Sequence, residues 1–183
     1  SFILSDSLYF RTMGIEVING NPNDLTNPDV VFLSQSVARE VFGEEDPIGK
    51  TLHLMVWGTQ VEALVRGVYA DLPDNVSLER HEMVLSFASH NKYGWGRSGW
   101  TSGGNYNAFI RLKDGERSAD AINAGIDKVI AKHIPPEMNL HLHMFVVPLR
   151  TIHLEQSNVR KTILIMSLLG FAILFAATMN YVL

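Results

Sequence analysis

The sequence predicts a globular part in which strands and helices are mixed, followed by one membrane helix. Residues 1–87 alternate short apolar runs of strand type with one compact helical pattern. Residues 106–147 have the pattern strand, helix, strand. Residues 162–183 contain no charged side chain, and about 20 apolar residues are enough to cross the hydrocarbon core of a bilayer.

Composition narrows the classes of function. The chain has 183 residues, a formal net charge of -4 and no cysteine. Its charges form no basic stripe, so we expect no nucleic-acid partner. The lack of cysteine excludes disulfides, thiol catalysis and a zinc site with Cys ligands. Because the sequence begins without an initiator Met, we expect it to be an excerpt from a longer protein.

The first elements are short. The segment SDSLYFRTMG, residues 5–14, predicts a capped helical turn. Its apolar side chains, which we expect in the core, are Leu8, Tyr9, Phe10 and Met13. Residues 19–29 are rich in Asn, Asp and Pro and predict a turn-rich connection. Residues 30–33, VVFL, predict a buried strand.

The segment VFGEEDPIGKT ends like a phosphate-binding loop, but its spacing and its flanks differ. Such a loop has four residues between its glycines, whereas five separate Gly43 from Gly49. A strand should precede the loop and a helix should follow it, whereas a helical pattern with Ser34 as its N-cap precedes this segment. Pro47 removes a backbone donor, and three carboxylates would repel a phosphate: Glu44, Glu45 and Asp46. We therefore predict a turn from a helix into a strand, without a nucleotide.

A hairpin is expected next. Residues 51–57 and 60–69 alternate like two strands, and Gly58-Thr59 can form the turn between them. Gly67 interrupts the second alternation, which predicts a β-bulge.

The segment HNKYGWGRSGWTSGGNY, residues 90–106, predicts a long irregular loop because it is rich in Gly. Its aromatic side chains are Tyr93, Trp95 and Trp100. Two interpretations are open: the rings dock a partner or a lipid surface, or they fold back to plug the core of their own domain.

A strand-helix-strand block follows. YNAFIRL at residues 106–112 and LHLHMFVV at residues 140–147 have strand patterns, and a helix is predicted over residues 118–133. The apolar face of this helix consists of Ala119, Ile122, Ile126, Val129 and Ile130.

No catalytic or metal-binding constellation stands out. His141 and His143 share one strand face, with His133 and His153 near them in sequence. Structural zinc needs four ligands and catalytic zinc three plus water, and neither set is complete. A G-x-S-x-G elbow is also missing. We predict no metal, no cofactor and no enzymatic activity.

Several stretches together resemble the extracytoplasmic core domain of MacB-type ABC transporter permeases, an FtsX-like family also called type VII or mechanotransmission systems. SDSLYFRTMGIEVINGN is similar to the family's Asp-x-x-aromatic-aromatic run, and VRGVYADLPDNVSL and VVPLRTIHL are similar to later segments. VVFLSQSVAREVFGEEDPIGKTL resembles the most specific block. Its motif residues, expected to be structural, are Phe42, Gly43, Asp46, Pro47, Gly49 and Lys50. The loop GWGRSGWTSGG departs from the family by its length and Gly content.

The resemblance implies an α+β fold, in which a small β-rich, sabre-like subdomain is inserted in a porter-like subdomain of β-α-β pieces. The implied parts are a first porter part at 1–29, a sabre-like part at 30–87, a second porter part at 88–148, a stalk at 149–161 and a transmembrane helix at 162–183.

The resemblance also implies partners and location. ATP would be hydrolysed by a separate cytoplasmic ABC ATPase subunit, and the permease would form a dimer in the bacterial inner membrane, with a periplasmic adaptor as a further candidate partner. The domain would lie in the periplasm and transmit movement of the membrane helices for efflux or extrusion of a substrate. Arg160 and Lys161 precede the helix, and by the positive-inside rule alone they would favour the cytoplasm. The alternative function is a ligand-sensing domain of a membrane-anchored signalling receptor.

The stalk is short. At about 1.5 Å per residue, a helical stalk between the last predicted strand and the membrane would reach roughly 20 Å. We expect three apolar side chains to pack it in place: Leu149, Ile152 and Leu154.

Overall fold

The computed structural model describes residues 1–73, 79–96, 106–112, 119–134, 144–149 and 157–182. The chain divides into two compact units, Ser1–Arg111 and Leu112–Leu183. The first unit contains a sheet with helices on both faces. The described part of the second unit contains two helices.

The strands of the first unit are β1 (Phe2–Ser5), β2 (Val17–Gly20), β3 (Val30–Ser34), β4 (Thr51–Val56), β5 (Thr59–Tyr69) and β6 (Met83–Ser86). Its helices are α1 (Tyr9–Met13), a 3₁₀ helix (Pro22–Thr26), α2 (Gln35–Phe42) and α3 (Ala88–Tyr93). The helices of the second unit are α4 (Ala119–His133) and α5 (Ser157–Val182).

The six strands form one mixed sheet in the order β1-β6-β3-β5-β2, and β4 also pairs with β5. β3 lies inside the sheet, parallel to β5 and antiparallel to β6. β1 runs parallel to β6 at one edge. β2 and β4 both run antiparallel to β5, along different parts of it. The molecule therefore has an α+β fold, as predicted.

The predicted strand VVFL is buried along its whole length because both faces of the sheet are covered. Val31 and Leu33 join one apolar cluster, against which Val37 of α2 packs. Val30 and Phe32 join a second cluster that contains Phe10 of α1 and Leu25 of the 3₁₀ helix. Successive side chains of a strand point to opposite faces, so one short run supplies both cores.

The predicted bulge at Gly67 is confirmed. Val31 pairs with Val65, whereas Phe32 pairs with Gly67, so β5 contains one extra residue at this point. A Cβ atom at Gly67 would lie 2.0 Å from Cε1 of Phe32. Glycine is required here because the Phe32 ring occupies the space of a side chain.

The predicted N-cap of α2 is confirmed as well. The Oγ of Ser34 accepts a hydrogen bond from the Val37 amide at 3.4 Å. Asp71 adds a second cap, since its Oδ1 accepts from the Ser36 amide at 3.2 Å and from the Ser36 hydroxyl at 2.9 Å. These bonds satisfy amides that lack a partner within the helix.

Two local predictions for the first unit are wrong. Asn19 and Gly20, which were predicted to begin the turn-rich connection, belong to β2, because Val17–Gly20 pairs with the end of β5. α3 occupies part of the expected irregular loop and ends at Gly94, whose φ of 65° closes the helix in the left-handed conformation.

The strand-helix-strand block is confirmed at its helix only. α4 spans Ala119–His133, and Ile130 is its most buried side chain, whereas Val129 is 48% exposed. Residues 106–112 and 144–147 are not in strands. A strand needs a partner for its backbone groups, and the described residues pair no strand with either segment. Residues 140–143 lie outside the described residues.

Candidate functional site

Phe42 is the last residue of α2, and the other five motif residues lie in the turn between α2 and β4. The Gly43 amide bonds the Arg39 carbonyl at 2.9 Å and ends α2, with a φ of 62° at Gly43. The Asp46 carboxylate accepts from the Ile48 amide at 3.0 Å. Gly49 has a φ of 82°, a conformation in which other residues are strained.

This turn is bonded to β5 through its backbone. The Gly49 amide donates to the Val65 carbonyl at 2.8 Å, and the Val65 amide donates to the Lys50 carbonyl at 2.8 Å. The Lys50 amide bonds the Pro47 carbonyl at 3.2 Å. In a phosphate-binding loop such amides point at the phosphate, whereas here they bond the protein's own carbonyls.

The Lys50 ammonium is also engaged. It forms an ion pair with Glu45, which lowers the pKa of the Glu45 carboxyl through a side-chain hydrogen bond. The ammonium also lies 5.3 Å from the centroid of the Phe42 ring. The motif therefore has the geometry of a structural turn, and the absence of nucleotide binding stays a prediction.

Two of the three aromatic residues predicted for partner contact pack on the first unit's own core. Tyr93 and Trp95 contact the apolar cluster around Val31 and stack on each other at 4.9 Å between ring centroids. The Trp95 indole donates to the Thr59 hydroxyl at 3.1 Å. The core-plugging interpretation thus describes these two rings, and their contact with a partner stays a prediction. Trp100 lies outside the described residues.

Sequence reasoning missed Trp57. The hairpin turn consists of Trp57 and Gly58, one residue earlier than predicted, since Val56 pairs with Thr59. Both turn residues have positive φ, 45° and 82°, as a type I′ turn requires. Trp57 is 63% exposed, and its ring contacts those of Phe2 and Trp95 at 5.8 and 5.4 Å between centroids. The only signal in the sequence was the dipeptide Trp-Gly between two strand patterns.

The rings of Trp57 and Trp95 border a cavity of about 930 Å³ within the first unit. Its walls come from β1, the region of α1, the hairpin turn, α3 and residues 106–109. Its polar lining residues include Asp6, Thr12, His90 and Asn107. Sequence reasoning did not find this cavity because its walls come from five separate segments.

The structure describes one of the four histidines that were considered as metal ligands. His133 is the last residue of α4, and His141, His143 and His153 lie outside the described residues. Among the residues that the structure describes, no group of three His, Asp or Glu side chains is arranged to hold a metal ion. The lack of a metal stays a prediction.

The stalk is described only in part. Leu149 is 49% exposed, and Ile152 and Leu154 lie outside the described residues. α5 begins at Ser157 and continues through an apolar span, Lys161–Tyr181, without interruption. At about 1.5 Å per residue, these 21 residues reach roughly 30 Å, so α5 is long and apolar enough to cross a membrane.

The fold is similar to that of a domain ascribed to a permease protein from Porphyromonas gingivalis, with a TM-score of 0.56 and 22% identity over 83% of this chain and 70% of that chain. For the periplasmic region of MacB from Actinobacillus actinomycetemcomitans, the TM-score is 0.48 and the identity 18%, over 72% of this chain and 56% of that chain. For the extracellular domain of the ABC-type transporter YknZ from Gram-positive bacteria, the values are 0.37 and 21%, over 51% of this chain and 46% of that chain.

No curated protein matches the sequence. Residues 2–128 match the family described as MacB-like periplasmic core domain. The match covers more than half of the chain and includes the whole sheet and the motif turn. The chain therefore belongs to the family of MacB-like periplasmic core domains.

Proposed function

We propose that this chain is the periplasmic part of an ABC permease and transmits movement of a membrane helix, driven by ATP, to the periplasm for extrusion of a substrate. ATP is bound and hydrolysed by a separate cytoplasmic ATPase subunit, so this domain needs no nucleotide of its own. The permease works as a dimer in the inner membrane, and a periplasmic adaptor is a further partner.

The continuity of α5 is the observation that carries the proposal. The helix begins before the apolar span, at Ser157, and has no break where it enters that span. A helix transmits tilt and rotation because backbone hydrogen bonds join each turn to the next. The end-to-end distance of a Gly/Ser linker instead fluctuates on the scale of its own mean.

The test is a pair of insertions after Asn158 in the full-length transporter. Gly-Ser-Gly-Ser makes this point flexible, and four alanines add the same length while keeping the helix. We expect the Gly/Ser insertion to reduce transport more than the alanine insertion, with basal ATP hydrolysis retained in both. Equal transport by the Gly/Ser variant and the unmodified protein would contradict mechanical coupling through this helix.

A further inference from the structure

The proposed coupling through α5 makes no use of the cavity beside Trp57. It has a volume of about 930 Å³, within the range of pockets that hold small organic molecules, about 300–1,000 Å³. It lies inside the first unit and is formed by described residues.

Two groups of aromatic rings line this cavity. In the first, the Trp57 ring contacts those of Phe2 and Trp95. In the second, His90 stacks on Phe87 at 5.1 Å between ring centroids. Tyr106 meets both rings edge-on, at 5.9 Å from Phe87 and 5.8 Å from His90. The faces of Trp, Tyr and Phe rings carry negative potential and attract cations.

The type I′ turn requires a positive φ at Trp57, a conformation that is strained for a bulky side chain. The first position of a type I′ turn favours Asn, Asp or Gly, since φ is positive there, and Trp57 has a φ of 45°. Such backbone strain is concentrated at binding and catalytic sites. The strained position holds a large exposed ring at the border of the cavity.

The charge at the cavity is of one sign. Among the described lining residues, Asp6 is the only acidic side chain, and none is Lys or Arg. Asp6 is exposed, and its Oδ1 accepts a hydrogen bond from the Leu8 amide at 2.9 Å, which fixes the orientation of the carboxylate.

We propose that this cavity binds an apolar organic cation. The rings of Trp57 and Trp95 contact the apolar body and the positive charge of the ligand, and Asp6 supplies the opposite charge. Binding at this site does not depend on coupling through α5, so the two proposals are tested independently.

Two probes of nearly equal size and opposite charge test the proposal: tetraphenylphosphonium and tetraphenylborate. The full chain in lipid nanodiscs is equilibrated by dialysis with each probe, and uptake by empty nanodiscs is subtracted. We expect saturable binding of the cation that is about tenfold or more tighter than that of the anion, because the Asp6 carboxylate attracts a cation and repels an anion. Equal affinities, or no saturable binding of the cation, would overturn the proposal.

Two variants locate the site, with Glu44→Gln as a control that makes the same charge change at an exposed position outside the lining. Asp6→Asn keeps the acceptor for the Leu8 amide and removes the charge, and we expect about tenfold weaker binding of the cation. Trp57→Gly removes the ring, and glycine adopts a positive φ without strain, so folding should be preserved. Binding of the cation should again weaken. Unchanged affinity in Asp6→Asn, with unfolding temperatures equal to that of the unmodified chain, would contradict the assignment.

Discussion

At Gly67 the sheet has no space for a side chain. The nearest atoms to a Cβ there are Cε1, Cδ1 and Cζ of Phe32, at 2.0, 2.2 and 2.7 Å. Phe32 is fully buried, and its ring packs 5.2 Å from that of Phe10, so it cannot move aside at low cost. We predict that Gly67→Ala lowers the free energy of unfolding by about 1–3 kcal/mol, the usual range for overpacking, as measured by urea denaturation.

A double-mutant cycle identifies the cause of that loss. In a Phe32→Leu background the ring is absent, so Gly67→Ala should cost less than it does in the unmodified chain. Equal costs in the two backgrounds would show that the ring is not the source of the strain.

Tyr69 links stability to pH at the alkaline end. Burial raises the pKa of its phenol, and Tyr9 and Asp71 add to the shift. The hydroxyl donates to the His81 carbonyl at 2.5 Å. Because the folded-state pKa lies above the unfolded value of about 10, the neutral phenol's contribution is complete below about pH 10 and is lost as the pH rises further.

We therefore predict that Tyr69→Phe flattens the fall in unfolding free energy between about pH 9.5 and pH 11. The measurement is urea denaturation of both chains across this range, since lysines contribute equally to each. An identical slope in the two chains would mean that Tyr69 does not titrate differently on unfolding. At neutral pH the variant should lose about 0.5–1.5 kcal/mol, the usual net contribution of one hydrogen bond.

At the scale of elements, α5 is defined by its composition. Its apolar span has a mean hydropathy of 2.3 and is not buried within the described structure. We predict that Leu169→Arg, near the middle of the span, raises the apparent free energy of membrane insertion by about 3 kcal/mol. The measurement is a glycosylation assay of insertion, with Leu169→Ala as the control. Unimpaired insertion of the Arg variant would contradict a spanning role for this helix.

The elements that the sequence predicted well are those determined by neighbouring residues. Ser34 caps α2 through residues three positions away, and the bulge is indicated by Gly67 itself. β6 and β1 escaped prediction because four-residue strands gain their stability from partners far along the chain, such as Phe2 with Met83. Trp57 escaped because its residue type does not favour the conformation that it adopts.

The cavity could not be predicted for a related reason. Its lining residues are separated by up to about a hundred positions and are brought together only by the order of the strands, which local periodicity does not determine. The pairing of Tyr106 with His90, at 3.2 Å between the phenol oxygen and Nε2, is one such contact.

At the scale of the whole molecule, the absence of cysteine from this sequence makes its location measurable. Glu44 is exposed, so Glu44→Cys gives a single thiol in the domain. We predict that a membrane-impermeant maleimide labels this residue in intact cells whose outer membrane has been made permeable. Labelling only after lysis would place the domain in the cytoplasm. The unmodified protein is the control, since any labelling of it comes from thiols outside this domain.

The position of β5 in the sheet has a consequence for hydrogen exchange. Leu64 pairs with both Val30 and Thr51, and the neighbouring Val65 bonds the motif turn. Releasing this part of β5 would break three separate sets of backbone bonds at once. The amides of Gly49, Leu64 and Val65 should therefore exchange by one shared opening and have similar protection, although they belong to a turn and to two different pairings. The motif turn should then open together with this part of β5, even though it lies at the surface.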